Sequence, residues 1–277
     1  MDKRTNNDTP ITTELYIDGE IRPAEGERHY NLYNPARPDE LVGHAALASP
    51  KDVDTAVEAS HRAFPLWSGK SYTERAVMLN HIADQLVVDK EDLAFRSRLF
   101  CREHGKILKE TMLEVSRLGD RFRQAAAYAD RLEADEKVSG GPFDTIITRQ
   151  PRGVAALIVP WNWPLSILGA KLPQALMAGN TVVVKPSHSS ALAPSLTLQK
   201  IAALLPPGVV NLLTGSADEI GDVLVGHSAV RYVNFTGSVD VGRHVMKMAA
   251  ENITPVTLEL GGNDAAIVCE DAKLDDA

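Results

Sequence analysis

Glu259 stands at the end of the apolar run VTLEL (256–260), followed by Gly261 and Gly262. A carboxylate at a strand end, with glycines that let another group approach closely, suits a general base that activates water or a thiol. A structural glutamate satisfies the same motif taken alone. Asn162 sits in PWNWPL (160–165), between two tryptophans and two prolines. Its amide can donate to a developing oxyanion, where a preorganised donor contributes most; it can equally satisfy local backbone in a Pro-stiffened turn. Lys185 closes TVVVK and opens KPSHSS, with Ser187 and His188 next. A lysine there can bind a hydroxyl or phosphate of a nucleotide, or simply be a solvated charge. In FTGSVDVGR, Gly237 and Gly242 bracket a turn that opens a helix, and small residues there let backbone N–H groups approach a pyrophosphate. The full G-x-G-x-x-G pattern is absent, and an ordinary turn fits this spacing too.

Elements of a particular kind must bring these groups together. From Gly153 onward, short apolar runs recur at VAALIV (154–159), TVVVK (181–185), VVNLL (209–213), RYVNF (231–235) and VTLEL (256–260), with gaps long enough for a helix and its turns. Strands apolar on both faces and separated by helical crossovers predict a mostly parallel, doubly wound sheet. Ligands bind such sheets beyond the carboxyl ends of the strands, and four of the motifs above fall there. Upstream, ELYIDGEIRPA alternates around Asp18-Gly19 and predicts a hairpin. A helix starts at Ser49-Pro50 with Val53, Ala56, Val57, Ala63 and Phe64 on one face. A second opens with the capping pattern Ser71-x-x-Glu74 and carries Ala76, Leu79, Ala83 and Leu86. Residues 91–134 read as further helix, broken near EHGK at Gly105, with packing as their role. Glycines and Pro142 then interrupt the helix ahead of a short β-prone run at Thr145–Thr148.

Composition narrows the class. At 277 residues, 44% hydrophobic and 24% charged, the chain has the make-up of a soluble globular protein with a sizeable core. A net charge of −8 and the lack of any Lys/Arg-rich run argue against nucleic acid as a partner, and no membrane segment is expected. Two cysteines form no disulfide framework, which makes a reducing cytoplasm the expected compartment. Cys101 and Cys269 lack the neighbours of a metal site, so none is expected.

In this order the motifs PWNWPL, AGNTVVVKPS, NFTGSVDVGR and LELGGNDAAIVCEDA resemble the NAD(P)-dependent aldehyde dehydrogenase superfamily, from LYIDGE to the last residue. The resemblance implies an α/β fold with a doubly wound, mostly parallel Rossmann-like sheet, an amino-terminal helical region and a small β-hairpin extension. It implies oxidation of a small-molecule aldehyde to a carboxylic acid with NAD or NADP. Asn162 matches the oxyanion-hole asparagine and Glu259 the general base. Lys185 matches the adenosine-ribose contact and Ser238 lies in the pyrophosphate-contacting turn. Lys171 matches a lysine near the site. Pro160, Trp161, Ser187, His188, Gly215, Gly237, Gly242 and Leu260 are counted with them as cofactor contacts. The implied organisation is a disordered tail (1–10), a hairpin and helices of the cofactor domain (11–135), a protruding β segment of the oligomerisation type (136–152), the dinucleotide-binding βα units (153–262) and the start of a catalytic domain (263–277). A homo-oligomer is implied for a full-length chain.

The chain departs from the family pattern in three places. The family nucleophile lies a few tens of residues beyond the LELGG glutamate, and neither Cys269, in an apolar run that predicts a buried inert thiol, nor Cys101, in the helical region, matches it. The chain is therefore expected to be the cofactor-binding part and inactive alone; an inert dinucleotide-binding module, or an assembly partner using an unpaired DTIITRQ strand, is the alternative. His188 replaces a frequent glutamate, which would accept from the ribose 2′-hydroxyl and repel a 2′-phosphate, so NADP is expected to bind at least as well as NAD. Ala217 replaces a frequent glycine.

Overall fold

The computed structural model describes residues 9–138, 140, 141, 143, 145–273 and 275. Most of the tail expected at 1–10 therefore lies outside the described residues, as do Ser139, Pro142 and Asp144 of the protruding segment and residues 274, 276 and 277.

The chain opens with β1 (Ile11–Thr13), β2 (Leu15–Ile17), β3 (Glu20–Arg22), β4 (His29–Asn34) and β5 (Arg37–Ala46). Five helices follow: α1 (Pro50–Ser68), α2 (Tyr72–Val88), α3 (Lys90–His104), α4 (Leu108–Ala126) and α5 (Ala129–Glu133). After β6 (Glu136–Val138) and β7 (Thr145–Ile147) come β8 (Val154–Ile158), α6 (Pro164–Gly169), α7 (Leu172–Met177), β9 (Thr181–Lys185), α8 (Leu192–Ala202), β10 (Val210–Leu212), α9 (Ala217–Val225), β11 (Val230–Gly237), α10 (Val239–Ala250) and β12 (Val256–Leu260).

The five runs predicted as strands form a contiguous parallel block in a sheet ordered β12-β11-β8-β9-β10-β2-β3. The chain runs outward from β8 through β9 to β10, then returns to lay β11 on the other side of β8, so the direction of winding reverses between β8 and β11. Both faces are covered. Val182 and Val184 belong to one apolar cluster and Val183 to another, and β8 divides in the same way, with Ala155 and Leu157 opposite Val154 and Ala156. Side chains that alternate between two cores explain why these runs are apolar throughout.

The Asp18-Gly19 hairpin extends this sheet as β2–β3, antiparallel to β10. Both turn residues have positive φ, 54° and 87°, as a two-residue hairpin turn of matching twist requires. The predicted helix starts hold. Ser49 and Asp52, and Ser71 and Glu74, exchange reciprocal side-chain to backbone hydrogen bonds. The α1 and α2 faces are buried as expected, except that Phe64 is only half-buried, and Trp67 joins them with its indole N–H donating to the Leu176 carbonyl at 3.1 Å.

One sheet was unforeseen and two expectations need correction. A second sheet, β1-β5-β4, was not foreseen, because β4 and β5 carry polar residues and two register shifts that break the two-residue alternation. The β-prone run 145–147 is not unpaired: it forms an antiparallel ladder with β6, whose three exposed residues gave no apolar signal. Cys269 is exposed rather than buried, because Gly261–Glu270 forms no ladder and leaves Ile267 and Val268 open to solvent.

Candidate cofactor and catalytic cleft

A cleft of about 620 Å³ opens at the carboxyl ends of β8, β9, β11 and β12, where the winding reverses. It gathers Pro160, Trp161 and Asn162 after β8, and Lys185, Ser187 and His188 from the end of β9 onward. Gly237 and Ser238 come from the end of β11, and Glu259 and Leu260 from that of β12. Residues separated by a hundred positions meet because each strand of a parallel sheet delivers its carboxyl end to the same edge. Three predicted residues, Lys171, Gly215 and Gly242, do not line it.

Lys185 is the least satisfied of the lining groups. Its side chain reaches the cleft while the residue is only 4% exposed, and among the described residues its ammonium has no hydrogen-bond or ion-pair partner. Burial alone pushes its pKa down to about 8. Beside it, the His188 ring stacks on Tyr30 of β4, centroids 3.8 Å apart and 15° from parallel. Burial, then the Lys185 charge, lowers the pKa of His188, while hydrogen bonding to the Gly215 backbone opposes the shift. Gly215, at φ 152°, thus supports His188 from behind.

On the other side of the cleft, Ser238 caps α10 by accepting from the Val241 N–H at 3.4 Å. Gly242 lets α10 approach β12: a Cβ there would lie 2.4 Å from Leu260 Cδ2. That close approach is a packing contact. Sequence reasoning missed an adjoining groove of about 550 Å³ between α9 and α10, whose walls include Gly221, Val225, Val241 and Val245. Small and apolar residues four apart on both helices were the available signal. Across this groove His244 Nε2 and Asp222 Oδ1 lie 2.6 Å apart.

Glu259 is exposed and accepts from Thr236 Oγ1 at 3.3 Å. Lys171 lies behind it, buried, donating to Asn234 Oδ1. Burial lowers the Lys171 pKa to about 8, partly offset by the Glu259 charge. Asn162 is exposed, and its side chain makes no hydrogen bond among the described residues. Neither cysteine lines the cleft. Cys101 donates to the Lys106 carbonyl at 2.9 Å, and burial raises its thiol pKa.

A switch-point cleft with a cation on one wall and a capped helix start on the other is the architecture of the dinucleotide-binding α/β folds. The chain belongs to the aldehyde dehydrogenase family, which it matches over residues 21–277. It is 37% identical over 268 residues to an NADP-dependent glyceraldehyde-3-phosphate dehydrogenase from Streptococcus equinus, covering 94% of this chain and 54% of that protein. A crystal structure assigned to the aldehyde dehydrogenases, from Burkholderia cenocepacia, superposes with a TM-score of 0.86 at 36% identity, covering 95% of this chain and 53% of that one. Betaine aldehyde dehydrogenase from Staphylococcus aureus, in complex with NAD+, superposes with a TM-score of 0.83 at 31% identity, covering 90% and 50%. The chain thus spans about half the length of these relatives.

Proposed function

We propose that this chain is the cofactor-binding part of an enzyme that oxidises an aldehyde, with NAD(P)+ and water, to a carboxylic acid. The observation that carries the reading is Lys185: a cation desolvated at a strand end, with no partner among the described residues, calls for an acceptor beyond them. A ribose hydroxyl or a phosphate is such an acceptor. Ser187 and His188 lie beside the same position, Ser238 and the start of α10 face a pyrophosphate, and the groove between α9 and α10 suits a flat apolar base. The relatives named for NADP dependence and solved with NAD+ support this fit.

When bound, the nicotinamide supplies a hydride acceptor. The chain's own residues then have separate roles. Asn162, whose exposed amide makes no hydrogen bond among the described residues, donates to the oxygen that gains charge as the aldehyde carbon becomes tetrahedral. Glu259 takes a proton from the attacking water or thiol, and its charge is felt by buried Lys171 nearby. The nucleophile is not Cys101 or Cys269, since neither reaches the cleft. His188 removes the carboxylate that would repel a 2′-phosphate, and Lys185 supplies positive charge, so NADP+ binds at least as tightly as NAD+.

The test is titration of the purified chain with NAD+ and NADP+, followed by assay with aldehydes. Binding of both without aldehyde-dependent reduction is expected. A strong NAD+ preference refutes the expectation that NADP+ binds at least as tightly as NAD+. Aldehyde-dependent NAD(P)H formation that survives Cys101→Ala with Cys269→Ala refutes the division of roles.

A further inference from the structure

The break between α3 and α4, Glu103-His104-Gly105-Lys106, touches both halves of the cleft. The Glu103 carboxylate is buried and accepts from the backbone N–H groups of Leu192 and Ala193 at 2.7 and 2.8 Å, at the start of α8. That start ends the turn carrying Ser187 and His188. One residue on, His104 Nε2 donates to the Trp161 carbonyl at 2.8 Å. Gly105, at φ 84°, then reverses the chain, and a Cβ there would lie 2.8 Å from Pro35 Cγ. Lys106 turns inward: its ammonium lies 3.3 Å from the centroid of the Trp163 ring and 2.8 Å from Glu114 Oε2. The other oxygen of Glu114 accepts from the N–H groups of Leu165 and Ser166, both at 2.9 Å, where α6 begins.

The two loops that carry the cleft chemistry are therefore each pinned by a buried carboxylate at a helix start, one carboxylate in this break and the other bound to its lysine. Helix starts leave N–H groups without intrahelical partners, so a carboxylate there both satisfies them and fixes where the preceding turn lies.

We propose that Glu103–Lys106, with Glu114, is the positioning element of the cleft: Glu103 sets the Ser187–His188 turn toward the cofactor, and His104, Lys106 and Glu114 set the Asn162 turn toward the aldehyde. The proposal rests on the cofactor reading above. It makes the two arms separable, because each is held by its own bonds.

Hydrogen exchange of the amides in 161–166 and 187–193, measured alongside the NADP+ dissociation constant, tests it. Glu103→Gln, which replaces one acceptor oxygen with a donor, speeds exchange at Leu192 and Ala193 and weakens NADP+ binding about tenfold, leaving 161–166 protected. Should that variant not fold, Glu103→Asp keeps the charge without the reach and gives the same pattern more weakly. Glu114→Gln speeds exchange at Leu165 and Ser166 while the NADP+ constant stays within about twofold. His104→Phe deprotects the Asn162 turn, and His104→Gln, which can still donate to Trp161, restores it. Loss of protection at 192–193 with unchanged NADP+ affinity overturns the proposal, as does simultaneous loosening of both arms by either carboxylate variant. A wild-type chain that binds neither cofactor overturns the cofactor reading and the proposal with it, a failure seen before any variant is made.

Discussion

Replacing Lys185 by methionine separates the cost of holding the cleft ready from the benefit of filling it. The lysine is almost fully buried, with no partner among the described residues, and burial lowers its pKa from 10.5 to about 8. At about 1.36 kcal/mol for each of the roughly 2.5 intervening pH steps, the empty chain carries about 3 kcal/mol of desolvation penalty at neutral pH. Methionine has nearly the same length and shape and no charge. The empty Lys185→Met chain is therefore expected to melt several degrees above wild type at pH 7, at about 2–4 °C per kcal/mol for a chain near this size. Because the folded-state pKa is depressed, the penalty is complete below pH 8 and fades as pH rises from 8 toward 10.5, so the two melting curves converge there. With cofactor the order of benefit reverses. A hydrogen bond to a charged group is worth about 1.5–3 kcal/mol, so the variant binds NADP+ roughly 10- to 100-fold more weakly. At a concentration one hundred times the wild-type dissociation constant, the ligand adds about 2.7 kcal/mol to wild type but about 1.4 or less to the variant. Differential scanning fluorimetry at pH 7 and 9.5, with and without NADP+, reads four values for each protein. A variant no more stable than wild type when empty, or one that binds NADP+ equally well, refutes the reasoning.

Other perturbations have outcomes of different sign. His188→Glu restores a carboxylate beside the ribose position and is expected to weaken NADP+ relative to NAD+ by at least about tenfold, read as a ratio of dissociation constants. Asn162→Ala removes an exposed amide with no protein partner, so the melting temperature stays within the change that about 0.5 kcal/mol produces and cofactor binding is unaffected; a large loss of stability would show that the amide is structural. Gly242→Ala forces a Cβ into Leu260 and is expected to cost about 1–3 kcal/mol in denaturant unfolding. Burial raises the Glu103 pKa to about 7 against the pull of its backbone N–H partners, so its contribution is fully present below about pH 4.5 and is lost as pH rises through 7. Wild type is therefore expected to lose more stability than Glu103→Gln between pH 5 and 8.

The parallel block and most of the cleft were legible in the sequence because a doubly buried strand has few alternatives. TVVVK cannot place Val182, Val183 and Val184 anywhere but into two cores, and that forces Lys185 to the cleft edge. What was hidden followed from bonds between distant segments. EHGK reads locally as a helix stop, and nothing near Glu103 announces the α8 start 89 positions away. What the sequence did not disclose is that Gly242 makes room for Leu260 and that the Gly215 backbone hydrogen-bonds to His188. The β4–β5 ladder was missed because half-exposed strands with irregular register lose their period.

The strands that build the cleft differ in how firmly they are held. Lys185 ends a strand laddered on both sides, by β8 and by β10, whereas among the described residues Glu259 ends one that hydrogen-bonds to β11 alone, at the margin of the sheet. Opening free energy falls from sheet centre to sheet edge, so the cleft has a gradient of local stability across it. The wall assigned to gripping the cofactor is anchored by two ladders. The wall assigned to moving a proton is anchored, among the described residues, by one.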